Sequence, residues 1–155
     1  MAEPEIIQLE LKSGTVRIEL LPNVAPNHVQ RIKELVREGF YDGLKFHRVI
    51  DGFMAQTGDP TGTGTGKSKK PNLPAEFSRE RHVRGTCSMA RSSEPNSANS
   101  QFFICLADAP WLDGQYSVWG RVISGMEHVD AIKKGSQASN GQVMDPDQII
   151  KMTLP

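Results

Sequence analysis

Apolar and polar residues alternate with a period of two in two runs near the start of the chain. Residues 7–11 and 16–20 each carry an apolar side chain at every second position, and Lys12, Ser13 and Gly14 lie between the runs. Alternate residues of a strand share one face of a sheet. The pattern therefore predicts a β-hairpin with one buried face.

The period changes from that of a strand to that of a helix after Pro26. Apolar residues recur at helical spacing, Pro26 suits a first helical turn, and Gly39 suits a C-terminal stop. The apolar residues are Val29, Ile32, Leu35 and Val36. We predict an amphipathic helix over residues 26–38.

A second, short helix is predicted before Gly135. Ser124 and Glu127 have the spacing of a capping box, in which the two side chains hydrogen-bond free amides at a helix start. Lys133 and Lys134 would then lie near the negative end of the helix dipole. These signals bound a helix of only a few turns.

Six further segments have the composition of strands separated by loops. They are residues 45–49, 53–56, 86–90, 102–106, 118–122 and 148–154. With the hairpin they give about eight strands and two helices in one domain over residues 1–155. Because a closed barrel with helices over its open ends leaves no exposed edge, we expect a mainly β, closed-barrel protein.

Bulky side chains are predicted to fill the interior of this barrel, which argues against an enclosed small ligand. They are Ile18, Leu20, Cys87, Met89, Phe102 and Ile104.

The charge balance narrows the classes of partner. The 155 residues include 18 Lys and Arg against 18 Asp and Glu, a formal net charge of zero. Without a basic field, binding to nucleic acid or to an anionic membrane is not expected, and no apolar run approaches the length of a spanning helix.

The acidic start of the chain, residues 1–5, lacks the features of a signal peptide. We expect a cytoplasmic monomer.

The sequence contains no motif typical of a metal or cofactor site. Cys87 and Cys105 form no C-x-x-C pair, and the four histidines show no metal-ligand spacing. No G-x-S-x-G elbow marks a nucleophile, and Cys87 and Ser88 lie in an apolar run that predicts core packing. We expect no metal and no cofactor.

The glycine-rich residues 61–68 end like a phosphate-binding loop. Thr61, however, stands where the first glycine of that motif is needed, and Pro71 and Pro74 follow where a helix is needed. A flexible glycine loop is the better interpretation.

Arg48 lies in the most informative segment, residues 46–59. If the segment is a strand, Phe46, Arg48 and Ile50 share a face, while His47 and Val49 point the other way. Arg48 is then a cation among apolar neighbours. Taken alone, a surface arginine with its stem along hydrophobic side chains is the commonest explanation.

Three motifs in order resemble the cyclophilin family of peptidyl-prolyl cis/trans isomerases. They are Phe46-His47-Arg48 with Gly52-Phe53-Met54-x-Gln56-x-Gly58-Asp59, then Ser100-Gln101-Phe102-Phe103-Ile104, then Trp111-Leu112-Asp113-Gly114. The resemblance spans nearly the whole chain and is closest to the compact bacterial members. It implies an eight-stranded antiparallel barrel closed by two helices, with the active groove on the outside of the barrel.

The resemblance also implies a set of site residues. Arg48 would be catalytic, with Gln56 and His47 beside it in the same motif. The substrate-binding residues would be Phe53, Met54, Ala90, Arg91, Gln101, Phe103, Trp111, Leu112 and Tyr116. Substrates would be proline-containing peptides and unfolded proteins, and Trp111 implies inhibition by cyclosporin.

Two positions depart from the family pattern. Tyr116 stands where many members have His, and Arg91 stands where eukaryotic members usually have Asn. Both lie at the predicted groove, so the polar rim of the pocket is altered. A non-catalytic module of the same fold that only binds proline peptides is the alternative, but it would not need Arg48.

Overall fold

Eight strands account for the apolar runs of the sequence, within the residues 5–154 that the computed structural model describes. The strands are β1 Ile6–Leu11, β2 Gly14–Leu20, β3 Arg48–Ile50, β4 Met54–Thr57, β5 Thr86–Met89, β6 Phe102–Cys105, β7 Val118–Ser124 and β8 Lys151–Thr153. Their order in the sheet is β3-β4-β6-β5-β7-β2-β1-β8, and every pairing is antiparallel. The predicted mainly β, eight-stranded fold is confirmed.

The sheet curls until the residues that flank its two end strands meet. Lys45, before β3, forms a single antiparallel bridge with Gln148, before β8. The backbone N–H of Phe46 also donates to the carbonyl of Asp147 at 2.9 Å. Closure therefore rests on loop backbone, because β3 and β8 are each only three residues long.

The interior of the curled sheet is filled with side chains. The residues predicted to fill it are all buried in one cluster: Ile18, Leu20, Cys87, Met89, Phe102 and Ile104. Trp119 is also fully buried there, with its ring edge-on to Phe102 at 5.3 Å. The inward-facing positions of the first hairpin contribute as the alternation predicts, and Leu9 pairs with Val16 across it. Ser88 is fully buried as well.

The first helix, α1 Pro26–Arg37, confirms the predicted element to within one residue. Its buried face includes Val29, Ile32, Leu35 and Val36, which were the basis of the prediction. The helix packs on β7 and β8.

The second helix, α2 Met126–Asp130, is shorter than predicted, and its capping box was wrong. Ser124 is the last residue of β7, where it pairs with Arg17, and the helix cap is Gly125 with φ +84° and no side-chain hydrogen bond. A Cβ at Gly125 would lie 2.4 Å from the carbonyl oxygen of Thr15, so only glycine fits this turn. Lys134 lies beyond the helix and donates to the carbonyl oxygen of Asp130.

The predicted strand over residues 45–49 was placed too early. The paired strand begins at Arg48, so the period of two does not extend back to Phe46. Phe46 and Val49 both lie in the core, whereas Arg48 and Ile50 face outward and are partly exposed. Arg48 and Ile50 therefore share a face as predicted, but Phe46 does not.

Two short 3-10 helices, Pro110–Leu112 and Gln137–Ser139, were not predicted. Residues 1–4, on which the expectation of a missing signal peptide partly rests, lie outside the described residues. None of the helices within residues 5–154 is long and apolar enough to cross a membrane.

Candidate active site

Three neighbouring strands place four of the predicted site residues on the outer surface of the barrel, namely Arg48, Met54, Gln56 and Phe103. The antiparallel register puts Arg48 of β3 opposite Gln56 of β4, and Gln56 opposite Phe103 of β6. Because alternate residues share a face, Met54 lies beside Gln56 on the same outer surface. A second apolar cluster forms there, separate from the barrel core.

This outer cluster surrounds a small pocket of about 110 Å³. Nine of the twelve predicted site residues line it: Arg48, Phe53, Met54, Gln56, Ala90, Arg91, Phe103, Leu112 and Tyr116. Leu112 reaches the pocket from the first 3-10 helix. Phe103 meets Tyr116 edge-on, with ring centroids 5.6 Å apart. The pocket is therefore an aromatic and aliphatic cup whose lining includes two cations, Arg48 next to Gln56, and Arg91.

Three neutral oxygens hold the guanidinium of Arg48. Its Nε donates to the backbone carbonyl of Asn140 at 3.0 Å, its Nη2 to Oδ1 of Asn140 at 3.3 Å, and its Nη1 to Oε1 of Gln56 at 3.3 Å. Three of the five guanidinium N–H groups are thus used, and two remain for a ligand. Arg48 forms no ion pair among residues 5–154. Its positive charge is oriented without being neutralised.

Gln101 lies beside the pocket and extends the hydrogen-bond chain from Arg48. Its Oε1 accepts from Nε2 of Gln56 at 2.9 Å. Its own Nε2 donates to the backbone carbonyls of Gly64 and Gly66, at 3.1 and 2.8 Å. The side-chain amides of Gln56 and Gln101 are therefore fixed in orientation between Arg48 and the glycine-rich loop.

The glycine-rich loop is organised around the buried carboxylate of Asp59. Its oxygens accept from the backbone N–H groups of Thr61, Thr63 and Gly64, and from the hydroxyl of Thr61. Burial alone would raise the pKa of Asp59, but hydrogen bonds from Thr61, Gly66 and Gly64 outweigh it and lower the pKa to about 2. The loop predicted to be flexible is thus tied to an ionised side chain.

Trp111 lies at the rim of the pocket. It is 63% exposed, and its ring centroid is 5.6 Å from that of Phe53. The indole therefore extends the apolar surface outward from the pocket. This is the one large aromatic side chain of the predicted set that remains mostly open to solvent.

His47 lies behind Arg48, away from the pocket. It is 5% exposed, and neither ring nitrogen has a hydrogen-bond partner among the described residues. Burial lowers the pKa of His47, with a partial opposing effect from Asp59. It lines a neighbouring cavity with Arg48 and Gly64, so it adjoins Arg48 without facing the apolar pocket.

A histidine that sequence reasoning did not select supports the pocket from below. The His82 ring stacks on Phe103 at 6.1 Å and meets Tyr116 edge-on at 6.3 Å. Its two nitrogens bond Oδ1 of Asp113 at 3.1 Å and Oγ of Ser88 at 3.0 Å. Burial lowers the pKa of His82, partly opposed by Asp113. Because the Ser88 side chain is fully buried, this trio braces the aromatic wall and does not present a nucleophile.

Asn140 was also missed by sequence reasoning. It has φ +56°, a left-handed conformation that asparagine tolerates better than most residues. It precedes Gly141, and the pair Asn-Gly was the only local signal of a turn there. Nothing local indicated contact with a residue 92 positions earlier.

The site offers no group of ligands for a metal. No cluster of three or more His, Cys, Asp or Glu that could hold an ion occurs within residues 5–154. The chemistry available at the pocket is an oriented cation, amide hydrogen bonds and apolar surface.

Comparison with known proteins gives consistent matches over nearly the whole chain. A family model described as "Cyclophilin type peptidyl-prolyl cis-trans isomerase/CLD" matches residues 6–154. A probable peptidyl-prolyl cis-trans isomerase of Brucella suis is 58% identical over 165 aligned positions, which cover 99% of this chain and 84% of the relative. A peptidyl-prolyl cis-trans isomerase of Schizosaccharomyces pombe is 40% identical, with 94% of this chain and 96% of the relative covered.

Solved structures agree with the sequence matches. A cyclophilin-type peptidyl-prolyl cis-trans isomerase of Cryptosporidium parvum has a TM-score of 0.89 and 27% identity, over 99% of this chain and 98% of that one. A crystal structure of the same protein in the presence of the dipeptide Ala-Pro has a TM-score of 0.88 and 28% identity, over 97% and 98%. The chain therefore belongs to the cyclophilin-type peptidyl-prolyl cis-trans isomerases.

Proposed function

We propose that the apolar pocket binds the proline of a substrate and that Arg48 is the catalytic donor for rotation about the preceding peptide bond. One observation carries this proposal. The guanidinium lies at the edge of the pocket, held by the amide oxygens of Asn140 and Gln56, with two N–H groups free.

The reaction needs a donor of this kind. Resonance gives the X–Pro bond partial double-bond character, with a barrier of about 18 to 20 kcal/mol. When the bond twists, the lone pair localises on the prolyl nitrogen, so a fixed donor aimed at that nitrogen stabilises the twisted state more than either planar isomer. Arg48 suits this task because its side chain stays charged at any useful pH and its planar group is pre-organised. No covalent bond forms or breaks.

The pocket walls strengthen this effect. Phe53, Met54 and Phe103 exclude water from the proline ring, and the lower local dielectric increases the interaction between Arg48 and the developing lone pair. Gln56 and Gln101 would hydrogen-bond the substrate backbone beside the proline. His47 would act on Arg48 from behind, through packing.

Proline-containing peptides and unfolded segments whose slow step is an X–Pro bond are the proposed substrates. Trp111 adds exposed aromatic surface at the rim, which supports binding of the cyclic peptide cyclosporin. A monomer in the cytoplasm stays our prediction, to be checked by sedimentation and by fractionation of cells.

The first test is the cis-to-trans rate of a peptide Ala-X-Pro-Phe with the wild type, with Arg48→Ala and with Arg48→Lys. We expect Arg48→Ala to lower kcat/KM about 100- to 1000-fold, the size of effect seen when an oriented transition-state donor is removed. Arg48→Lys keeps the charge without the fork of donors, and we expect it to stay closer to the alanine variant than to the wild type.

Cyclosporin binding is measured on the same proteins by the change in tryptophan fluorescence, to which Trp111 and Trp119 both contribute. Retained binding by Arg48→Ala with lost turnover would support the catalytic role. A loss of turnover of less than about tenfold would refute that role. A folded wild type that binds cyclosporin yet gives no acceleration would instead favour the alternative of a proline-peptide binding module.

A further inference from the structure

A larger polar cavity of about 440 Å³ adjoins the apolar pocket. The two share Gln56, Ala90 and Arg91, so Arg91 stands at the boundary between them. Lys67, at the end of the glycine-rich loop, lines the larger cavity but not the apolar pocket. A peptide in extended conformation advances about 3.3 Å per residue, so side chains within about three positions of a bound proline can reach this cavity.

The residues that line the cavity carry two positive charges and no negative charge. The cations are Lys67 and Arg91, and the remaining lining residues within the described part of the chain are neutral. Neither cation forms an ion pair in residues 5–154. The cavity therefore presents positive charge that the protein itself leaves uncompensated.

Arg91 is held in place by neutral groups. Its Nε and Nη2 donate to the carbonyl of Gln115 at 3.0 and 2.8 Å, and its Nη1 donates to the carbonyl of Ser92 at 2.9 Å. The guanidinium lies 4.8 Å from the ring centroid of Tyr116. The cation of Arg91 therefore lies against an aromatic ring that also borders the apolar pocket.

Lys67 lines the same cavity from the end of the glycine-rich loop. Its side chain is exposed, and its only hydrogen bond in the described structure is a long one of 3.4 Å from Nζ to Oδ1 of Asn72. The ammonium can therefore move to meet an anion, while the position of Arg91 is fixed. One mobile and one fixed cation in the lining of the same cavity suit a flexible carboxylate side chain.

Two acidic residues lie near Lys67 or Arg91 in the sequence, so each is a candidate to compensate their positive charge. Asp59 is ionised but 1% exposed, and its oxygens accept hydrogen bonds from the loop backbone beneath the cavity. Glu94, in the same loop as Arg91, is exposed and forms no ion pair with Arg91 or Lys67 in the described structure. Neither carboxylate occupies the cavity.

We infer that this cavity selects substrates with an acidic side chain, Asp or Glu, within about three residues of the isomerised proline, through Lys67 and Arg91. The inference rests on the proposed function, because it requires the proline to bind in the adjoining pocket. Lysine or arginine at the same substrate position would meet repulsion from both cations. A neutral residue would give an intermediate rate.

The test uses acetylated, amidated heptapeptides with a single central proline, in which Glu, Gln or Lys is placed in turn at each other position and the rest are alanine. Isomerisation rates are read by NMR exchange at low salt. At one substrate position or at two neighbouring ones we expect kcat/KM for Glu to exceed that for Lys about tenfold, with Gln between. We expect the ratio to fall by at least half at about 1 M salt, because the charges are partly exposed.

Variants that remove the charge of Lys67 or Arg91 test whether these two residues cause the preference for Glu over Lys. We expect the Glu to Lys ratio to fall to about threefold in Lys67→Gln and close to one in the double variant with Arg91→Gln. Any general damage to the groove affects all peptides alike and cancels in the ratio. Lys69→Gln is the matched control, since Lys69 is an exposed lysine two residues away that does not line the cavity. It should keep the full ratio.

The results separate failure of this inference from failure of the proposed function. A wild type that isomerises the all-alanine peptide but shows Glu to Lys ratios within about twofold at every position would overturn the selectivity alone. A full ratio that persists in the double variant would overturn its assignment to Lys67 and Arg91. No acceleration of the all-alanine peptide would overturn the proposed function itself.

Discussion

Asn140 accepts two hydrogen bonds from Arg48, one at its backbone carbonyl and one at its side-chain oxygen, 3.0 and 3.3 Å from the donors. The left-handed backbone at Asn140, with φ +56°, directs both acceptors toward the guanidinium. The following Gly141 allows this turn to approach β3 closely, since a Cβ there would lie 2.5 Å from Cγ1 of Ile50 and 3.3 Å from Cγ of Arg48. The cation of the site thus depends on a turn from a distant part of the chain.

Two substitutions of Asn140 distinguish the contribution of its backbone carbonyl from that of its side-chain oxygen. Asn140→Gly keeps the backbone carbonyl and adopts the left-handed conformation easily, so we expect kcat to fall only about threefold, the value of one weak hydrogen bond. Asn140→Asp places a carboxylate on Arg48 and neutralises its charge, so we expect kcat to fall at least about tenfold. Steady-state kinetics on the Ala-X-Pro-Phe peptide give kcat and KM for each variant.

The split between kcat and KM is the control for this prediction. If Arg48 acts on the twisted bond as proposed, KM should stay within about twofold in both variants. The urea midpoint of unfolding of Asn140→Gly should stay close to that of the wild type. Equal losses of kcat in Asn140→Gly and Asn140→Asp would contradict the argument, because charge neutralisation would then have no effect.

Local pattern predicted the strands but not their exact ends. Alternation identified the first hairpin, and the spacing of Val29 and Ile32 identified α1, because each signal depends only on neighbours in sequence. The capping box at Ser124 failed for a tertiary reason. Pairing of β7 with β2 extends to Ser124, and this leaves Gly125 to make the turn.

The residues of the site likewise include some that were predicted and some that were not. Arg48, Gln56 and Phe103 lie opposite one another in adjacent strands, and the resemblance of their motifs to the cyclophilin family was what predicted that they meet. Asn140 and His82 reach the site from loops far along the chain, and no short-range pattern encodes such contacts. Their roles became visible only once the hydrogen bonds were known.

Trp111 provides a test of the rim of the groove. Trp111→Phe removes exposed indole surface but leaves the pocket walls and Arg48 unchanged. We expect cyclosporin, a large cyclic ligand, to bind at least about tenfold more weakly, and turnover of a short peptide to change less than about threefold. Inhibition curves on both proteins measure the two effects. Equal losses of cyclosporin affinity and turnover would show that Trp111 contacts the short substrate as well.

Three buried histidines predict how stability depends on pH. Burial lowers the pKa of His28, His47 and His82 below the ordinary value of 6.5. The unfolded state therefore takes up protons at a higher pH than the native state. The histidine contribution to the free energy of unfolding is fully present above about pH 6.5 and is lost as pH falls through that value toward the native pKa values.

Urea unfolding at intervals between pH 8 and pH 5 checks this sign. That window lies above the lowered pKa of Asp59, about 2, so loss of the loop carboxylate does not contribute. We expect the free energy of unfolding to decrease toward pH 5, and the slope to become shallower in His82→Gln. A slope of opposite sign, with stability rising as pH falls from 7 to 5, would contradict the expectation.

Gly58 links the glycine-rich loop to Gln101 and gives a test of both stability and activity. It has φ +95°, and a Cβ there would lie 2.4 Å from the carbonyl oxygen of Ser100 and 2.8 Å from Cα of Gln101. Both contacts are backbone, so neither can move aside cheaply. We expect Gly58→Ala to lose about 3 kcal/mol or more of unfolding free energy, from left-handed strain plus overpacking, in urea titrations.

Gly52→Ala is the matched control for this substitution. Gly52 has a similar left-handed φ of +74°, but a Cβ there would meet no atom within 4 Å. We expect it to lose only the conformational cost of about 1 to 2 kcal/mol and to keep its turnover. Gly58→Ala should also lower turnover, because displacement of Gln101 loosens its hydrogen bond to Gln56 and so the support of Arg48. Equal destabilisation by the two variants would show that strain alone, and not contact with Ser100 and Gln101, requires glycine at position 58.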